Sequence, residues 1–142
     1  MSKINFEKIV KAERIKVFNI FTNYEQFQTV LPKYFPSVRI RSTRGNTAVV
    51  EQHVKIAGRE LIMMTKHVTH YPNVHEVFVI GGDAKGSHLV ERYESIHGGT
   101  KITVNADLKL NGILKILTFF EKDIIKKSLI ETIDEFAKIA EY

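Results

Sequence analysis

The chain has no cysteine, which excludes disulfides, thiolate catalysis and cysteine-bound zinc and removes any need for an oxidising compartment. No apolar stretch is long enough to cross a bilayer, and Lys3, Glu7 and Lys8 interrupt any apolar core that a leader between Met1 and Val10 would need. The expected location is therefore the cytoplasm. Internal repeats, linkers and low-complexity tracts are also missing. From about Ile113 to Tyr142 there is neither proline nor glycine, so nothing there interrupts a helix.

The familiar catalytic motifs are missing as well. Gly81-Gly82-Asp83-Ala84-Lys85-Gly86-Ser87 has the glycines of a phosphate loop, but lacks the lysine directly before the serine and leads into a strand-like run, so a hairpin turn accounts for it better. No serine sits in a nucleophile elbow, and His75-Glu76 continues into Val77-Phe78-Val79 rather than a second zinc-spaced histidine. The six histidines form no recognised metal spacing. His67 and His70 fall on opposite faces of a strand, while His70 and His75 are expected to meet across a Pro72-Asn73 turn on the outer face.

What is present fits a soluble globular domain. The 142 residues are 44% hydrophobic and 26% charged, a length at which roughly 68–70% of the unfolded surface becomes buried, and a single domain over 1–142 is expected. The formal charge of +5, with small clusters at Arg39/Arg41/Arg44 and Lys122/Lys126/Lys127, fits a solvated basic surface. It also admits contact with an anionic membrane or ribosomal surface. Specific DNA binding is not expected.

Periodicity orders the elements. Ile4–Val10 alternates as a strand, and Ala12–Phe21 puts Ile15, Val17, Phe18 and Phe21 on one helical face. A second short helix fits Tyr24–Leu31, with Phe27, Val30 and Leu31 inward, and stops at Pro32. The period then becomes two, with turn signals at Gly45-Asn46, Ala57-Gly58, Pro72-Asn73, Gly81-Gly82-Asp83 and Gly98-Gly99. Between them lie six runs, Ser37–Arg44, Thr47–Ile56, Arg59–Tyr71, Val74–Ile80, Lys85–Ile96 and Thr100–Leu110, joined too tightly for parallel crossovers. Leu129, Ile133, Phe136 and Ala140 then form the stripe of a long amphipathic helix. In its first half Ile113, Leu114, Ile116, Leu117, Phe119 and Phe120 cover nearly every side, which calls for burial under the sheet, an oligomer contact or a ligand portal.

This order resembles the SRPBCC superfamily, which includes START lipid-transfer domains, the birch-pollen-allergen fold and polyketide cyclases. The resemblance spans the chain. Asn23-Tyr24-Glu25-Gln26-Phe27-Gln28-Thr29-Val30-Leu31-Pro32 is similar to the signature before the second strand in coenzyme Q-binding and polyketide cyclase/dehydrase-type members. Val10-Lys11-Ala12-Glu13-Arg14-Ile15-Lys16-Val17-Phe18 is similar to their opening, without the proline that usually follows the alanine. The resemblance implies an α+β helix-grip fold: a seven-stranded curved antiparallel sheet in the order β-α-α-β6-α around a long C-terminal helix, with a cavity between sheet and helix. It further implies binding or carriage of a hydrophobic small molecule such as a lipid, isoprenoid or quinone, with a cyclase or dehydratase and a partner-binding module as alternatives, and no cofactor.

Carrying the alternation of the last strand back through the turns puts Ser87, Leu89, Glu91 and Tyr93 on the inner face. Continuing gives Val74, Glu76, Phe78 and Ile80, then Leu61, Met63, Thr65, His67 and Thr69, then Val50, Gln52 and Val54. The expected ligand-binding residues are Gln52, Met63, His67, Glu76, Phe78, Glu91, Tyr93, Leu117 and Phe120. Among them His67, Glu91 and Tyr93 are the acid–base candidates, because burial and neighbouring charge tune such groups. Tyr34 and Phe35, with Phe119 and Phe120, are expected to plug or frame the cavity mouth.

Overall fold

A computed structural model of the chain describes the backbone of residues 2–109 and 113–142 and the side chains of residues 3–109 and 123–142. The elements run β1 (Ser2–Val10), α1 (Arg14–Phe21), α2 (Tyr24–Val30), β2 (Ser37–Arg44), β3 (Thr47–Ile56), β4 (Arg59–His70), β5 (Val74–Gly82), β6 (His88–Ile96), β7 (Gly99–Leu108) and α3 (Ile113–Ala140). The strands form one antiparallel sheet in the order β1-β7-β6-β5-β4-β3-β2. The first strand therefore pairs with the last, and the meander continues outward from β7. Gly99 makes the closure possible, since a Cβ there would lie 2.2 Å from the Val10 carbonyl oxygen.

The concave face carries the core. In β7 the alternation of Thr100, Ile102, Val104 and Ala106 is fully reflected in burial, as is that of Ala48, Val50, Gln52 and Val54 in β3. Ile133, Phe136, Ala137 and Ala140 of α3 close over it. Phe136 is the hub, with ring centroids 5.1 Å from Phe21, 4.9 Å from Phe27 and 5.7 Å from Phe35. It ties the long helix to both short helices and to the segment after them. Phe35 is thus a buried plug of the core.

Two apolar residues expected inside lie outside. Ile15 and Val30 are exposed, while Val17, Phe18 and Phe21 of α1 and Tyr24 and Phe27 of α2 face the core. A helix this short buries one narrow stripe, and the residues at its edge stay in water. The side chains of Leu117 and Phe120, with the rest of the all-round apolar run up to Lys122, lie outside the described residues. No helix among the described residues is long and apolar enough to cross a membrane.

The largest difference from expectation is in β5. His75, Val77 and Val79 face the concave side, so Glu76 and Phe78 stand on the convex face and Ile80 is exposed. His70 pairs with Val74, which leaves three residues in the connection where a two-residue turn was expected. On the other side His75 pairs with Glu91. Because side chains alternate with period two, an odd change in loop length turns over the whole strand. The β4–β5 connection and the β5–β6 connection both differ in this way, and the two changes cancel beyond β5. Further along, Met64 pairs with Gly81 but Thr65 with Val79, so Ile80 is a bulge.

Candidate functional site

Between sheet and α3 lies a cavity of about 180 Å³. Its walls are mostly apolar, with Leu61, Met63, Leu89 and Val104 from the sheet and Leu129 and Phe136 from α3. Besides Arg59, Ser87, His88 and Thr132, the lining holds one polar cluster: Gln52, Thr65, His67, His75 and Glu91, from β3, β4, β5 and β6. All five are buried. Taking such groups out of water costs free energy unless each finds a partner, and here they satisfy one another.

The partners form a chain across the four strands. His75 Nδ1 lies 2.7 Å from Glu91 Oε1, and the Tyr93 hydroxyl donates to the same oxygen at 2.5 Å. His75 Nε2 faces His67 Nδ1 at 2.9 Å and the Tyr24 hydroxyl at 3.2 Å. His67 Nε2 lies 3.0 Å from Thr65 Oγ1 and 3.2 Å from Gln52 Oε1. Tyr24 also lays its ring against His67, with centroids 4.1 Å apart.

Proton positions follow from these contacts. Burial, helped by the charge of His75, pushes the His67 imidazole well below the ordinary histidine range, so the ring is neutral and carries one N–H. With Gln52 Oε1 as its acceptor, that hydrogen is on Nε2. Nδ1 then receives a hydrogen from His75 Nε2. Turning the Gln52 amide presents an N–H to His67 Nε2 instead, and then His67 Nδ1 donates to His75 Nε2. The two arrangements place the hydrogen of the His67 ring on opposite nitrogens. Burial first, and then the Glu91 charge, push the phenols of Tyr24 and Tyr93 upward, so both remain O–H donors.

Of the residues expected at the site, Gln52, Met63, His67 and Glu91 line the cavity. Tyr93 stands behind Glu91, held edge-on against Phe18 and Phe21. Glu76 and Phe78 are on the other side of the sheet: Glu76 bonds His88 at 3.0 Å, and Phe78 stacks on the His88 ring at 4.4 Å. The expected outer-face meeting of His70 with His75 does not occur, because His75 points inward to His67. No group of three or more potential ligands among the described residues is arranged to hold a metal.

Sequence reasoning missed His75 and Tyr24. The parity error in β5 hid the first. The second had a usable signal: Tyr24, Phe27 and Leu31 share a helical stripe at spacings of three and four, and all three are buried.

No family model matches this chain, and no curated protein matches it in sequence. Solved structures do match in shape. The protein TTHA0849 of Thermus thermophilus superposes with a TM-score of 0.82 at 14% identity over 99% of each chain. The Zhui aromatase/cyclase from a Streptomyces species gives 0.79 at 12% identity over 98% of this chain and 93% of its own. A START superfamily protein from Mycobacterium smegmatis gives 0.76 at 16% identity over 99% and 95%. The chain has the START-like helix-grip fold. At these identities the likeness establishes the START-like architecture, while the polar chain from Gln52 to Glu91 comes from this sequence alone.

Proposed function

We propose that this START-like chain binds a hydrophobic small molecule in the space between sheet and α3. The observation that carries the reading is a cavity with mostly apolar walls and a buried polar cluster of Gln52, Thr65, His67, His75 and Glu91. Apolar walls supply affinity, at about 25 cal/mol per Å² of ligand surface removed from water, and a few fixed polar groups set orientation. The curved sheet, the gripping helix, the interior cavity and the polar cluster at one part of its lining support it. Native mass spectrometry of the protein purified from its own host tests the reading. A single stoichiometric apolar molecule released on denaturation is expected, and consistently bare protein would count against it.

The hydrogen-bonded chain Glu91–His75–His67 favours a second reading, a cyclase or dehydratase acting on an oxygenated apolar substrate. General acid–base catalysis needs a group that gains and loses a proton within reach of the substrate. The two proton arrangements of this chain supply that at His67. Under this reading His67→Gln abolishes turnover while leaving substrate affinity nearly unchanged. Loss of affinity alone returns the site to a purely binding role.

A further inference from the structure

The cavity has two chemically different ends. Its lining runs along β4 from Arg59 to His67, eight steps of about 3.3 Å each that span roughly 26 Å of strand. An apolar hole of about 150 Å³ takes one benzene ring, and pockets for drug-sized ligands hold about 300 Å³ or more. A volume of about 180 Å³ drawn out along that strand is therefore slim, suited to a chain rather than to fused rings.

At one end Arg59 is exposed on the concave face and makes no ion pair among the described residues. Glu60, next to it in the chain, meets His53 at 2.8 Å, and Asp83 accepts from the Ile62 amide at 2.9 Å. At the other end Gln52 and Glu91 each use one side-chain oxygen within the network, which leaves half of the Gln52 amide and Glu91 Oε2 without a partner among the described residues. Among the described side chains, the atoms both enclosed and unpartnered are Arg14 Nε and Asp107 Oδ1, neither of which lines the cavity. The free positions on Gln52 and Glu91 are thus open to the cavity.

Resting on the reading of the cavity as a ligand site, we infer that its ligand is a single-chain carboxylic acid bearing a hydroxyl at its far end. The carboxylate meets Arg59 at the mouth and the hydroxyl meets Gln52 or Glu91 inside. An ionised carboxylate does not suit the inner place, because it only accepts and has no hydrogen to give Glu91 Oε2. A hydroxyl does, because it donates and accepts.

The test is displacement of 1,6-diphenyl-1,3,5-hexatriene, a neutral, rod-shaped fluorescent probe without fused rings, by dodecanoic acid, 12-hydroxydodecanoic acid and 1,12-dodecanediol. Adding a hydroxyl to an alkyl chain normally weakens burial in an apolar site, so a preference for it is diagnostic. The hydroxy acid is expected to bind about five-fold or more tightly than dodecanoic acid. Arg59→Gln, an exposed substitution, is expected to weaken the hydroxy acid about five-fold and leave the diol unchanged. If the probe saturates the cavity but the hydroxy acid binds no better than dodecanoic acid, or Arg59→Gln weakens nothing, the inference fails while the binding role stands. If the probe does not bind at all, both fail.

Discussion

Two histidine–glutamate pairs sit on the same two neighbouring strands, one on each face of the sheet. On the concave face His75 and Glu91 lie 2.7 Å apart, with side chains 3% and 9% exposed. On the convex face His88 and Glu76 lie 3.0 Å apart, with side chains 39% and 27% exposed. The chemistry and geometry are nearly the same, and the surroundings differ. Outside, water competes for both partners and screens them, so such a pair contributes about 0–1 kcal/mol. Inside, each member holds further groups in place: Glu91 takes the Tyr93 hydroxyl, and His75 takes His67 and Tyr24. Removing one inner member leaves several polar groups stranded out of water.

The comparison predicts unequal losses. Glu91→Ala is expected to lower stability by about 3–5 kcal/mol, the usual cost of leaving a buried charged partner alone, read as a fall in the urea midpoint. A loss below about 1 kcal/mol would mean that the inner pair behaves like a surface one.

The pH dependence of stability sharpens the contrast. In the unfolded chain His67 takes up a proton near its ordinary value of about 6.5, whereas the folded chain keeps it neutral. Acid therefore feeds protons to the unfolded state. The contribution of His67 is complete above about pH 7 and declines as the pH falls through 6 and 5, by at most about 1.4 kcal/mol per pH unit. His67→Gln should flatten that slope in urea denaturation. An unchanged slope would place the acid sensitivity in other groups.

The smallest effect belongs to the outer pair. Glu76→Ala is expected to shift stability by no more than about 1 kcal/mol, less as salt is added. A loss comparable with that of Glu91→Ala would remove the distinction between the faces.

The same contrast shows what the sequence conveyed. The element order, the antiparallel sheet and the inner faces of β3, β4, β6 and β7 were legible, and in β3, β4 and β7 burial follows the one-sided alternation. β5 was not. Val74, Phe78 and Ile80 on one face match Val77 and Val79 on the other, so apolar pattern alone does not choose between them. The choice is made by a three-residue connection after His70 and by the bulge at Ile80. Both are matters of loop geometry, invisible to periodicity. The consequence for the inner face was specific: Glu76 and Phe78 were put in the place of His75 and Val77, although Gln52, Met63, His67 and Glu91 do line the cavity. Tyr24 reaches the network from a helix, and no strand register leads to it.

The central claim is that the space between sheet and α3 takes an apolar ligand. Fluorescence titration with 1,6-diphenyl-1,3,5-hexatriene, a rod-shaped apolar probe, tests it most directly, comparing the natural chain with Leu129→Trp, which puts a larger side chain into the cavity wall. The prediction is one saturable site per chain that is lost in the variant while the circular dichroism spectrum is retained. Equal binding by the two proteins, or no saturable binding by the natural one, would contradict it.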